Sequence, residues 1–311
     1  MISLSANQSE IVNAPLHSAI QVLASAGSGK TRVLTERVRY IIQNTKNDCV
    51  LALTFTNKAA EEITHRLTDC EQVEERAWIA TIHSVAQRIL ESYGHTIGLP
   101  SELHIYDREK DKMDVFIQSL REAGVNIDEY LNVTSSSELK NREANLKKFM
   151  EIFSTIKRDF LTKSEVVEIY NSEDIWKIFQ DYQNSLINIG GIDKEDILNY
   201  AHRILMTHDW IAKIYRSKYK HVCVDEAQDL NKAQYEFIKS FCGCTIQSVL
   251  MVGDPNQMIY GFNGSSHDYL CINFIQDFNP LRFSLKENYR STKSIIKASN
   301  KLRPASQVET E

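Results

Sequence analysis

Ala24 to Thr31 read ASAGSGKT, and far downstream Val224 to Asp229 read VDEAQD. The first has the composition of a phosphate cradle and the second that of an acidic cation site. Gly27 and Gly29 allow the backbone to curl so that its N–H groups, with those of Ala26 and Ser28, face phosphate oxygens. Lys30 supplies a point charge for β- and γ-phosphates, and the Thr31 hydroxyl is a magnesium ligand. Ala24 stands where such loops carry their first glycine, and it is small enough for the turn. In the acidic segment, Asp225 is suited to hold magnesium, while Glu226, one residue on, is suited to polarise an attacking water as general base. Alone, VDEAQD also reads as a solvated turn capping the next helix. Together the two segments point to hydrolysis of a nucleoside triphosphate with Mg2+.

Such residues need a strand, a loop and a helix in that order. Ala19 to Leu23 is a short apolar run before the loop, and Val33, Leu34, Arg37, Val38, Ile41 and Ile42 follow it at helical spacing. His221 to Asp225 has the character of a buried parallel strand whose carboxyl end delivers the two acids. Similar runs at Val50 to Phe55, Trp78 to Ile82, Ser248 to Val252 and Leu281 to Leu285 alternate with helical stretches, which predicts an α/β doubly wound parallel sheet. That alternation stops between Ser101 and Ile189, where Gly124 is the one glycine, proline is absent and charged amphipathic stretches predominate. This predicts an all-helical insertion, with a capping break at Val133 to Glu138.

The 311 residues suffice for two domains. No apolar run approaches a membrane span and no secretory leader is evident, so a cytoplasmic protein without membrane contact is expected. The six cysteines are scattered, and the lone Cys242–Cys244 pair has no partner set for a metal, so reduced packing residues are expected. A net charge of −5 excludes a generally basic nucleic-acid coat, but not a local basic groove with stacking platforms.

Seven segments in order, LSANQSEIV, ASAGSGKTRVL, LALTFTNKAAEEI, ATIHSVAQRIL, VDEAQDLNKAQ, MVGDPNQMIYGFNGS and LKENYRST, resemble the UvrD/Rep group of superfamily 1A DNA helicases. The resemblance implies a RecA-like P-loop NTPase sheet with its first domain, 1A, in residues 1–97 and 191–280. A helical insertion, 1B, is then expected at 98–190 and the beginning of a second RecA-like domain, 2A, at 281–311. It implies ATP and Mg2+ as cofactors and single-stranded DNA, or a 3′-tailed duplex, as partner. The implied activity is ATP-driven 3′-to-5′ movement and strand separation. A rival expectation is a nucleotide-gated DNA-binding switch serving a partner nuclease, repair or anti-phage complex.

The same resemblance assigns individual residues. Gln8 reads adenine, and Arg32 and Tyr289 sandwich the base. Gln257 senses the γ-phosphate, Asp254 holds its loop, and Arg290 neutralises charge on that phosphate. Phe55, Tyr260 and Phe262 become stacking platforms for bases, with Thr54, Thr56, Asn57, His83 and Ser84 on the phosphodiester backbone. Outside the family context Gln8 reads as a surface residue, Tyr289 as core, Arg290 as a surface ion pair, Phe55 as core and His83 as a helix cap. The family commonly has tryptophan where Phe262 stands and arginines where Gly261 and Asn263 stand. The motifs that follow ENYRST in the family have no match before Glu311, so either a fragment carrying a first motor domain, its insertion and the edge of a second, or a naturally short relative, is expected, unable by itself to unwind duplex.

Overall fold

The computed structural model describes residues 3–302 and 309–310; the end of the expected 2A segment, 303–308 and 311, lies outside the described residues. The chain forms two compact units, one of Met1–Val85 with His208–Glu311 and the other of Ala86–Thr207.

The first unit is built on a six-stranded sheet of β1 (Ala19–Ala24), β2 (Cys49–Thr54), β3 (Ala77–Thr81), β6 (Tyr219–Val224), β7 (Ser248–Gly253) and β8 (Leu281–Leu285). Their order is β3-β2-β6-β7-β1-β8 and every neighbouring pair is parallel. All six expected strands are present, with bounds shifted by a residue or two. Continuous burial along β2 and β7 shows why these runs lack polar alternation: helices cover both faces of the sheet. Even Gln21 of β1 is fully buried, donating to the Leu270 carbonyl at 2.8 Å and accepting from Arg282 at 3.2 Å.

The chain leaves β1 and crosses β7 and β6 to reach β2, so strand order reverses about β1. In open parallel sheets the crevice at such a reversal, beyond the carboxyl ends, is where ligands sit. Helix α1 (Ala6–Val12) precedes β1, and helix α2 (Lys30–Asn44) follows it and buries Val33, Leu34, Val38, Ile41 and Ile42, the face that its spacing predicted. Gly29 caps it in the left-handed region at φ 88°, a conformation that favours glycine.

The second unit has helices at Glu109–Glu122, Ile127–Leu131, Ser136–Arg158, Lys163–Tyr170, Glu173–Asn188 and Asp196–Thr207. Ser135, within the expected capping break, accepts from the Glu138 N–H and starts the longest of these. Phe116, Phe153 and Tyr182 fill the core, with Phe153 and Tyr182 stacked at 5.2 Å. The helical pattern holds, with one addition: β4 (His104–Tyr106) and β5 (Gly191–Asp193) form a parallel ladder too short for alternation to register in sequence. The unit takes in 98–190 and reaches further, because the helix Asp196–Thr207 packs on the turn Gly94–Ile97 and on the helix Ser136–Arg158. No helix among the described residues is long and apolar enough to cross a membrane.

Candidate nucleotide site and nucleic-acid face

The loop between β1 and α2 is shaped by two left-handed glycines, Gly27 at φ 72° and Gly29 at φ 88°. A Cβ on Gly27 would lie 2.8 Å from Asn288 Nδ2 and 2.9 Å from Arg290 Cβ; one on Gly29 would lie 2.8 Å from Gln8 Nε2. Both glycines therefore serve close approach as well as backbone freedom. Within the loop, Ser28 is buried and donates its hydroxyl to the Ser25 carbonyl at 2.7 Å.

Lys30 and Thr31 open α2 and face the end of β6. The Lys30 ammonium is 3.4 Å from Glu226 Oε2, and the Thr31 hydroxyl donates to Asp225 Oδ2 at 2.9 Å. Asp225 is nearly fully buried, and its other oxygen accepts the Glu226 N–H at 3.0 Å. Burial, and then the Glu226 charge, push the Asp225 carboxyl up to about 6. A buried carboxylate and a hydroxyl are hard oxygen donors of the kind magnesium takes, and an ion there would favour the ionised acid. These residues fit the metal. Glu226 itself sits in the left-handed region at φ 49°, unusual for a residue with a side chain and a form of backbone strain that clusters at functional sites.

Around this centre lie the other expected nucleotide residues. Gln8 is buried rather than at the surface. Its oxygen accepts the Ser5 N–H at 3.2 Å in a capping box, and its amide donates to the Ser28 carbonyl at 3.0 Å. Arg32 is half-buried in the first turn of α2. The ENYRS segment is fastened to the loop: Tyr289 N–H donates to the Gly27 carbonyl at 2.9 Å, and Asn288 Nδ2 to the Ala26 carbonyl at 2.6 Å. Tyr289 is 45% exposed rather than core, and Arg290 is exposed beside Gly27. Gln257 donates to the Asp254 carboxylate just beyond β7.

The nucleic-acid candidates form a second set along the same carboxyl edge. Phe55 is half-buried one residue past β2, and Thr54 before it is buried in the strand. Thr56 accepts the Ala59 N–H at 3.1 Å and so caps the helix Asn57–Arg66. Asn57 and Ser84, with Thr64, His65 and Thr81, line a cleft of about 510 Å³. His83 is half-buried at the start of the following helix. Phe262 is 84% exposed and Tyr260 41%, their ring centroids 6.1 Å apart. Two exposed rings side by side offer an apolar face to a partner.

Three contributors escape a reading of sequence alone. Asn288 pins the downstream segment to the loop, and its position as a short amide before a turn was the available signal. Gln228 lies inside VDEAQD and bonds Glu226 at 2.9 Å. Arg37 is buried in α2 and bonds the carbonyls of Val12, Ala14 and Pro15, which anchors the leader carrying Gln8. Nothing in the helical periodicity separates it from an apolar core position.

A parallel sheet whose glycine loop and acidic strand end meet in this way defines a P-loop nucleotide-binding domain of RecA-like architecture. The chain belongs to the UvrD/REP helicase N-terminal domain family, which matches residues 4–279. It is 35% identical over 309 residues to DNA helicase II of Haemophilus influenzae and 33% identical over 306 residues to DNA helicase II of Escherichia coli. It is also 28% identical over 307 residues to the ATP-dependent DNA helicase PcrA of Staphylococcus epidermidis. Each alignment covers 96% of this chain and 40% of the relative, so the chain spans about two-fifths of their length.

Proposed function

We propose that this protein is an ATP-dependent DNA helicase or translocase that moves 3′ to 5′ along single-stranded DNA. One observation above all supports the reading: Lys30 beside Glu226 at 3.4 Å and Thr31 on Asp225 at 2.9 Å join the glycine loop to the acidic strand end. In this reading Ala26 to Thr31 bind the triphosphate of ATP and Thr31 and Asp225 hold Mg2+, which supplies charge neutralisation of the phosphates. Glu226 takes a proton from the attacking water. Gln8, Arg32 and Tyr289 grip the adenosine, and Gln257 and Arg290 respond to the γ-phosphate. Phe55, Tyr260 and Phe262 offer stacking faces to bases, with Thr56, Asn57 and His83 on the backbone; stacking tolerates any sequence, as movement along a strand requires.

Of the expected 2A residues 281–311, β8 pairs with β1 in the first sheet, so the segment after it, which carries Tyr289 and Arg290, is assigned to the start of a second RecA-like domain, and the helical stretch to an insertion in the first. The names of the relatives, DNA helicase II and PcrA, support DNA as the polymer and ATP as the fuel. Cytoplasmic residence, and recruitment by a repair or nuclease partner, belong to the same proposal.

The test is strand separation on two duplexes by the protein as its gene encodes it. A 3′-tailed duplex is expected to be unwound with ATP and a 5′-tailed one left intact. Equal unwinding of both, or of the 5′-tailed duplex alone, overturns the direction.

A further inference from the structure

One buried side chain outside the phosphate contacts joins the ends of two strands. Gln228 is 2% exposed and lies in the turn Ala227–Asp229 after β6. Its Nε2 donates to the Glu226 carboxylate at 2.9 Å and to the Asp229 carboxylate at 3.2 Å; its Oε1 accepts the Asp254 N–H at 3.0 Å. A main-chain N–H can only donate, so the amide has one orientation, with its nitrogen toward the acids. Asp254 in turn accepts from the Gln257 amide, and its main-chain oxygen accepts the Gln257 N–H at 2.9 Å. Four residues thus run in unbroken hydrogen-bonded contact, Glu226 to Gln228 to Asp254 to Gln257, with Gln228 meeting the main-chain N–H of Asp254 and Gln257 its carboxylate.

The neighbouring backbone is built around this amide. A Cβ on Gly253 would lie 2.6 Å from Gln228 Oε1 and 2.9 Å from the Gln228 main-chain nitrogen, so glycine is what lets β7 end against it. The same turn also holds the loop that presents the exposed rings. Ser265 donates its hydroxyl to the Asp229 carbonyl at 2.6 Å, and the Ser266 N–H donates to the Leu230 carbonyl at 3.0 Å. Tyr260 and Phe262 lie between these anchors and Asp254. Glu226, at the far end of the run, has a left-handed backbone and a carboxylate that accepts from Gln228.

We propose that Gln228 is a positioning residue that couples the two ligands: it carries the setting of Glu226 to the 254–265 loop, so that nucleotide in the crevice changes the hold of Tyr260 and Phe262 on single-stranded DNA. This rests on the proposed function. A side chain that only fills the turn would support folding and both affinities without linking them.

Linkage separates these cases, because coupling is a ratio of affinities and must be reciprocal. The affinity of a fluorescent non-hydrolysable ATP analogue is measured with and without a dT oligonucleotide, and that of the oligonucleotide with and without the analogue. Gln228→Met keeps the volume and removes all three hydrogen bonds. Gln228→Glu keeps the acceptor for Asp254 but sets a third carboxylate against two, and it serves as the second reading if the methionine variant does not fold.

The wild-type protein is expected to show a coupling factor of roughly 5–150, the usual range for linked sites. In either folded variant the factor is expected to fall to about one, with each separate affinity changed by less than about tenfold, or 1.4 kcal/mol. Wild-type coupling that persists in a folded variant overturns the relay alone. Loss of both affinities together with the melting temperature also overturns it, in favour of a packing role. A wild-type protein that binds the two ligands independently overturns the functional reading, and the relay with it.

Discussion

The Thr31 hydroxyl donates to the Asp225 carboxylate at 2.9 Å, so the first turn of α2 and the end of β6 share a pair of oxygens across an intervening strand. Asp225→Asn retains an acceptor for Thr31 and loses the charge. Nucleotide affinity in the wild type is expected to rise with magnesium concentration, and in this variant to lose most of that dependence. Titration of a fluorescent ATP analogue across magnesium concentrations checks it; an unchanged dependence would remove Asp225 from the metal site.

Lys30 and Glu226 are 3.4 Å apart but should fail differently. Lys30→Ala is expected to weaken triphosphate binding and abolish turnover. Glu226→Gln should leave binding near the wild-type value and lower turnover by roughly 10²–10⁴, the usual share of a general base. Binding and steady-state turnover measured on both variants decide this. Wild-type turnover in either one contradicts the assignment.

Phe262 is 84% exposed, so its truncation removes little packing within the chain. Phe262→Ala is expected to weaken single-stranded DNA binding by about 1–3 kcal/mol, the contribution of one stacked base, with the melting temperature unchanged. Fluorescence anisotropy with a labelled oligonucleotide reads the first and thermal unfolding the second. Unchanged affinity would exclude the ring as a platform.

His221 supplies a pH dependence of stability. It is fully buried, with Nδ1 2.7 Å from the Ser248 hydroxyl and Nε2 3.5 Å from Asp48. Burial pushes its pKa down to about 4, although Asp48 acts in the opposite sense. An unfolded imidazole titrates near ~6.5, so between those values the unfolded chain binds a proton that the folded chain refuses. Stability is therefore fully present above about pH 6.5 and falls toward pH 4, by on the order of 3 kcal/mol from this group. Chemical denaturation at pH 7 and pH 4.5 should show a smaller difference in His221→Asn than in the wild type. Equal differences would mean that another group dominates.

Periodicity and motif spacing made the sheet legible because a parallel strand covered on both faces is apolar over most of its length, as residues 50–53 and 249–252 are. The loop and the acidic pair were legible for a related reason: their chemistry needs fixed residue types at fixed spacing. What sequence concealed was made by contacts across the fold. Gln8 looked like a surface amide because its burial depends on Ser28, 20 positions away. Tyr289 looked like core, yet it is 45% exposed and its backbone N–H docks on the Gly27 carbonyl. Gln228 sits in plain view within VDEAQD, but its partner Asp254 is 26 positions on, and no local pattern marks a side chain that bridges two strand ends. The short ladder of β4 and β5 was hidden because each strand is three residues long.

ATP turnover by the protein as its gene encodes it, measured with and without single-stranded DNA, bears most directly on the link between the Lys30 and Glu226 crevice and a threaded strand. Turnover is expected to be magnesium-dependent, to rise at least tenfold or so with DNA, and to fall by roughly 10²–10⁴ in Glu226→Gln. Turnover that is absent, or that proceeds at one rate whether or not DNA is present, would contradict a motor.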